Sequence, residues 1–176
     1  MKERDPMSAV VLRAVRREDL PLLTVDPAAD PIDTFGLVAS NALERAFNAD
    51  GLLGYDRGTL VVEDDDGTVA GKVSWLPVPH GPNPPSHALN VGIRLRPGFR
   101  GRGLGGPAQA LLADYLFDTT TFERLQAETD IGNIAEQRAL EKAGFQREGI
   151  ARHAQFRKGT WHDMVVYSRL RNDPKP

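Results

Sequence analysis

Between Arg96 and Phe117 the chain reads RPGFRGRGLGGPAQALLADYLF, with five glycines and two prolines around the start of a run of helix formers. A regular element cannot pass through such a segment, because glycine is costly to order and proline removes a backbone donor. A strand must end before Arg96 and a helix must begin after the glycines. Gly98 and Gly103 have the G-x-x-x-x-G spacing of a P-loop, but Leu104-Gly105 stands where that motif needs Lys-Ser or Lys-Thr. Gly101, Gly103 and Gly106 satisfy G-x-G-x-x-G. That fingerprint belongs at a strand end in the first βαβ unit of a fold, whereas Arg96-Pro97-Gly98-Phe99 intervenes here and antiparallel-looking strands come earlier. Glu128 lies about where a ribose-binding acid would fall, so the dinucleotide reading is weakened rather than removed. A third reading keeps the physics and changes the ligand: backbone N–H groups of a glycine-rich turn, backed by a helix N-terminus, cradle an anion. Arg94, Arg96, Arg100 and Arg102 crowd the same segment. The bland alternative is a surface turn with solvated arginines.

Composition narrows the classes. The 176 residues most simply form one domain, with flexible ends at about 1–7 and 172–176. The net charge of −2 and pI of about 6.1 offer no global basic field, so neither nucleic acid nor an anionic membrane is an expected partner. There is no cysteine, which removes disulfides, thiolate metal sites and a cysteine nucleophile, and no metal site is expected. The apolar runs are shorter than the ~20 residues of a membrane helix, and the charged start is no secretory signal. A soluble, cytoplasmic domain is the expectation, with room for a homodimer.

Hydrophobic periodicity places the elements. Val10–Val15 reads as a strand, Arg17–Leu23 as a short helix, Pro27–Pro31 as a loop and Asp33–Phe47 as a helix. Thr59–Glu63 and Val69–Leu76 are strands joined by the Asp64–Gly67 turn. The proline-rich stretch Val78–Pro85 reads as a loop that cannot continue a ladder. His87–Leu95 is a strand, Leu104–Phe117 a helix with core positions Leu104, Ala108, Leu111, Leu112 and Tyr115, Arg124–Thr129 a strand, and Asn133–Ala143 a helix stopped at Gly144. Phe145–Phe156 and His162–Leu170 form a closing hairpin. The order β α α β β β α β α β β implies a mixed α+β sheet with one central crossover helix.

Three motifs in register resemble one family. Arg100-x-x-Gly103-x-Gly105 between a strand and a helix resembles the acetyl-CoA pyrophosphate loop of the GNAT N-acetyltransferase superfamily. Asn133-IAEQRALEKAG-Phe145 with Glu148-Gly149, and Gly159-TWHDMVVYSR-Leu170 with Asp163 and Tyr167, resemble signatures of the branch containing ribosomal-protein N-terminal acetyltransferases. The resemblance covers roughly residues 87–170. It implies an α/β/α layered fold with a largely antiparallel sheet and splayed central strands. It assigns the backbone of Ile93, Arg94 and Leu95 to the pantetheine arm and acetyl carbonyl. The turn Arg100, Gly101, Arg102, Gly103, Leu104 and Gly105 would take the pyrophosphate, with Asn133 and Glu136 completing the coenzyme site. Asn133 and Glu136 also have the spacing of a capping box, so the two roles overlap.

The family's acid–base residues are the part that departs. Asn90 stands where many members carry glutamate, Glu136 where the branch has serine near the thiol, Gln155 at the position of the ribosomal members' base, and Leu140 where another branch has a tyrosine acid. Gln155 cannot accept a proton at neutral pH. His87, His153 and Glu136 are the candidate replacements, and strand alternation would set His153 and Gln155 on one face. His153, Gln155 and Asn90 form the expected catalytic set. Trp75 and Trp161 read as core or rim aromatics. The resemblance implies acetyl transfer from acetyl-CoA to a primary amine, of a peptide or a small molecule, in a ternary complex. The acceptor pocket is expected from the Ala29–Leu53 region, the Val78–Ser86 loop and the His153–His162 hairpin. A module that binds acyl-CoA without efficient turnover is the second reading.

Overall fold

A computed structural model of the protein describes residues 10–24 and 41–176. The expected Pro27–Pro31 loop and the first half of the expected Asp33–Phe47 helix lie outside these residues. Seven strands form one sheet in the order β1-β2-β3-β4-β5-β7-β6. They are β1 (Val10–Ala14), β2 (Gly58–Asp64), β3 (Val69–Pro79), β4 (His87–Leu95), β5 (Arg124–Asp130), β6 (Gln146–Arg157) and β7 (Thr160–Leu170). Every neighbouring pair is antiparallel except β4 with β5. That exception follows from helix α3 (Gly105–Thr119), the crossover that returns the chain in the same direction. Helices α1 (Leu20–Leu23), α2 (Ala42–Asp50) and α4 (Ile134–Lys142) complete the described set.

Alternation along the strands splits the apolar residues between two faces. Leu89, Val91, Leu125 and Ala127 pack with Ala108, Leu112 and Leu116 of α3 and Leu140 of α4 in the main core. Val61, between Leu60 and Val62, belongs instead to a smaller cluster with Val15, Leu20, Leu23, Leu52 and Val69, against which Leu43 and Phe47 of α2 pack. The result is the expected α/β/α layering. Of the expected α3 stripe, Leu104, Ala108 and Leu112 are buried, while Leu111 and Tyr115 flank the core.

Three local expectations need correction. First, β3 runs through the prolines to Pro79, with Pro77, Val78 and Pro79 opposite Leu89, Ala88 and His87. Two prolines two residues apart share one hydrogen-bonding phase, and β2 has already ended at Gly58 opposite Trp75, so their missing donors face a free edge. Second, the described part of the expected helix before residue 51 starts at Ala42 and continues past Phe47 to Asp50, closed by the left-handed Gly51. Third, His153 and Gln155 do not alternate regularly. The register jumps from Ala151–Met164 to Gln155–His162, so three residues of β6 face Asp163 alone. His153 takes a left-handed φ of 49°, and its N–H donates to Asp163 Oδ1 at 2.8 Å.

Candidate active site

The site begins where the sheet opens. The β4–β5 ladder has two rungs, Leu89–Leu125 and Asn90–Gln126, after which the strands part. Residues 91–95 keep their partners on β3 while their other edge is released from β5. The edge of β4 turned away from β5 thus lines a wedge at the centre of the sheet.

The glycine loop closes the wide end of that wedge. A short 3-10 turn, Pro97–Phe99, ends β4, and Gly101 and Gly103 then adopt φ of 74° and 82°. A side chain on either would meet open space, so these glycines are required by backbone conformation rather than crowding. Gly105 and Gly106 pack closely against α4. A Cβ on Gly105 would lie 3.3 Å from the Ala139 Cβ, and one on Gly106 3.2 Å from the Lys142 Cβ. No side chain caps the N-terminus of α3, so its first amides are available to a ligand.

A cleft of about 410 Å³ joins the wedge, the loop and α4. Ten of the eleven residues expected to hold coenzyme line it: Ile93, Arg94, Leu95, Arg100, Gly101, Gly103, Leu104, Gly105, Asn133 and Glu136. Arg102 does not line it. Its guanidinium lies 4.8 Å from the Phe99 ring centroid, and Arg96 takes the same ring at 5.5 Å. Arg138 and Lys142, which motif reading passed over, join Arg94 and Arg100 as cationic walls. Their i, i+4 spacing on α4 was the available signal. Left-handed glycines, an uncapped helix end and four cations suit an elongated polyanion such as coenzyme A.

Asn133 and Glu136 separate in role. Asn133 Oδ1 accepts from the Glu136 N–H at 3.4 Å and caps α4, while its own N–H donates to the Asp130 carbonyl. The reciprocal half of the capping box is therefore absent. The Glu136 carboxyl instead enters the cleft beside Gln109 of α3, and burial, opposed by a hydrogen bond from Gln109, pushes it up to about 7.

The expected catalytic set does not converge. Asn90 sits half-buried in the last β4–β5 rung, level with Gln126, Ser168 and Gln146 across the sheet. Gln155 is level with His162, six residues further along β7, roughly 20 Å of strand at about 3.4 Å per residue. His153 is exposed and stacks on Trp161 at 6.4 Å, and His87 starts β4 opposite Pro79. Trp75 is a core residue and Trp161 is 58% exposed.

Other side chains meet at the opening. His80 Nε2 contacts Gln126 Oε1 at 2.9 Å, and Gln126 Nε2 donates to Glu128 Oε1 at 2.9 Å. Glu128 is exposed and shares its strand face with Gln126, opposite the Leu125–Ala127 face covered by the helices. Behind them Arg124 donates to both oxygens of Glu148, at 2.6 and 2.5 Å, and Ser168 Oγ donates to Glu148 Oε1 at 2.7 Å. At the far end of β5, Asp130 takes the buried Arg157 and His162 Nδ1, the latter at 2.7 Å. The histidine whose side chain reaches the last rung of the ladder is thus His80, just past the end of β3, through its contact with Gln126.

A family model described as the acetyltransferase (GNAT) domain matches residues 9–146. By sequence the chain is 36% identical over 83 residues to the probable N-acetyltransferase YjcK of Bacillus subtilis, covering 47% of this chain and 46% of that protein. It is 28% identical over 108 residues to the putative ribosomal N-acetyltransferase YdaF of Bacillus subtilis, covering 61% and 57%. The chain spans about half the length of these relatives. The fold matches the spermidine N-acetyltransferase from Vibrio cholerae solved with CoA and spermine, with a TM-score of 0.72, 21% identity and coverage of 94% and 98%. The family model spans most of the sheet, the glycine loop and α4, and the chain belongs to the GNAT acetyltransferase family.

Proposed function

We propose that this protein is an acetyl-CoA-dependent N-acetyltransferase that moves the acetyl group to a primary amine by direct attack in a ternary complex. The observation that carries the reading is the parting of β4 and β5 above a cleft walled by Gly101, Gly103, Leu104, Gly105 and four cations. The names of the relatives, N-acetyltransferases including a putative ribosomal one, favour the same chemistry and the ribosomal-type branch.

Backbone amides of Arg100 to Gly105 and the start of α3 hold the pyrophosphate, with Arg94, Arg100, Arg138 and Lys142 supplying charge. The released edge of β4 at residues 91–95 orients the pantetheine arm, and Asn133 meets it from the β5 side. Bound there, acetyl-CoA supplies an activated thioester carbonyl. The amine approaches from the opposite sheet face, where Glu128 receives its proton and the His80–Gln126 pair fixes the floor of the pocket. A C–N bond forms as the C–S bond breaks, and a β4 amide steadies the charge on the carbonyl oxygen. Much of the acceleration comes from holding two substrates together.

The test incubates the protein with acetyl-CoA and a panel of peptide and small-molecule amines while free thiol is followed. Saturable thiol release with at least one acceptor supports the enzyme. Tight coenzyme binding without release across a broad panel replaces it with a binding module.

A further inference from the structure

The net charge of −2 hides a local imbalance at the β6 edge of the sheet. From Arg147 to Lys158 the chain carries four cations and one carboxylate. Glu148 is taken by Arg124, and the buried Arg157 by Asp130. Arg147, Arg152 and Lys158 are exposed, and among the described residues none of them is in an ion pair. Aromatic rings stand in the same place. Trp161 is 58% and Phe156 54% exposed, with ring centroids 5.3 Å apart, edge to face. The exposed His153 lies nearly parallel to Trp161, at 19° and 6.4 Å between centroids. Phe156 pairs with Trp161, which alternates with Val165 and Tyr167 of the main core, so these rings are on the helix side of the sheet. They are not among the residues lining the coenzyme cleft, and the acceptor amine is given the opposite face. Two backbone features fix the rings. Lys158 and Gly159 have φ of 49° and 79°, the two-residue turn whose twist matches that of its strands. His153 is held at its left-handed φ by the hydrogen bond to Asp163, a strained state of the kind that collects where ligands are clamped.

We propose that this side of the β6–β7 hairpin binds a single-stranded polynucleotide, with bases stacked on Trp161 and Phe156 beside His153 and phosphates held by Arg147, Arg152 and Lys158. Exposed ring faces interleaved with cations are what a single strand needs, since every base has a face to stack and every linkage a charge. Arg147 is level with Tyr167 and Phe156 with Trp161, six residues along β7, so the row is roughly 20 Å long and spans several nucleotides. A duplex keeps its bases stacked on one another and leaves the rings without a partner. A peptide added as a further strand fits less well. β6 is an edge strand, but the extra residue at Glu148 and the three-residue bulge at 152–154 interrupt its regular ladder. Net charge averages over the whole chain, whereas a phosphate strand responds to charges within a Debye length of about 8–10 Å, so the two point to different partners.

Trp75 is buried and Trp161 exposed, so quenching of the protein's fluorescence by a short oligouridylate reports on this face. Binding by the native protein should weaken with salt, log K against log salt having a slope of about −2, near −0.7 for each of three phosphates. Trp161→Ala, followed by anisotropy of a labelled oligouridylate, should weaken binding about 5- to 150-fold, the worth of one stacked base. Trp161→Phe keeps a ring and should restore most of that loss. Arg152→Ala and Lys158→Ala should each reduce the slope by about 0.7. All of these side chains are exposed, and thermal melts check that the variants keep the fold. Unchanged affinity in Trp161→Ala overturns the proposal. So does displacement of the oligouridylate by saturating coenzyme A, which assigns it to the cations of the cleft. Equal competition by a duplex of the same length overturns it, and equal competition by polyglutamate does so in favour of an acidic peptide. Absence of binding at low salt ends the proposal and leaves acetyl transfer untouched.

Discussion

His80 Nε2 lies 2.9 Å from Gln126 Oε1, and Gln126 faces Asn90 in the last rung before β4 and β5 part. Gln126 gives its Nε2 to Glu128, so its oxygen is the acceptor toward His80 and the imidazole must donate through Nε2. The two residues are 46 apart in sequence. Their contact joins the segment after β3 to the last rung of the β4–β5 ladder, and in the proposed reaction it forms the floor under the acceptor amine.

Glu128 is the carboxylate at that floor. Glu128→Gln should lower kcat by about 10²-fold or more, the usual contribution of a positioned base, with the KM for acetyl-CoA nearly unchanged. Because the side chain is exposed, stability should shift by no more than about 0.5 kcal/mol. Steady-state rates against pH check both points. Full activity in this variant would assign proton removal to another group.

Gly103 has a φ of 82° with open space where a Cβ would stand. Gly103→Val should leave the fold intact at a cost of about 1–3 kcal/mol, or a Tm loss of several degrees, while raising the Kd for coenzyme A at least about 30-fold. Gly98, which has an ordinary φ and open surroundings, gives the control: Gly98→Ala should bind normally. Calorimetry and thermal melts separate the two effects.

Glu148 stands at an extra residue in β6, between the Arg147–Tyr167 and Gly149–Val166 rungs. Its hydrogen bonds from Arg124 hold its carboxyl down at about 2, against the opposing cost of burial and with help from Ser168. A depressed carboxyl stabilises the fold at pH values above its unfolded pKa of ~4.3, and that contribution is lost as pH falls toward about 2. The side chain is 42% exposed, so the contribution at pH 7 is at most about 1 kcal/mol. Denaturant unfolding of Glu148→Gln should be slightly weaker at pH 7 and flatter than the native protein between pH 5 and 2.5.

Asp130 closes β5 and meets Arg157, whose side chain is 5% exposed. Burial alone would raise the Asp130 carboxyl, but the Gly132 N–H, His162 and Arg157 outweigh it and hold it below its usual range. Asp130→Ala removes the carboxylate from a buried guanidinium and should cost about 3–5 kcal/mol. The Gly132 turn that leads to Asn133 loses its anchor as well, so coenzyme affinity should fall with stability. Denaturant midpoints and Kd values measured together check the coupling.

Strand β4 was legible to the residue, His87–Leu95, because alternation and flanking prolines define both ends. The cap at Asn133 was legible too, since an Asn-x-x-Glu pattern is local. The destination of Glu136 was not. Whether that carboxyl bends back to its own helix or enters the cleft depends on Gln109 of α3, a residue 27 positions earlier. His153 failed for the converse reason: alternation holds only while the register does, and Asp163 draws in an N–H from a three-residue bulge.

Local chemistry therefore determined the elements, the glycine loop and the crossover helix, because turn geometry, donor loss and periodicity act within a few residues. Only the tertiary structure decided which side chains meet at the opening of the sheet. Strand registers place His80 against Gln126 and carry Gln155 six residues along β7 from that level. Register is set by packing of whole faces against α3 and α4, a sum over many distant contacts that no short stretch of sequence encodes.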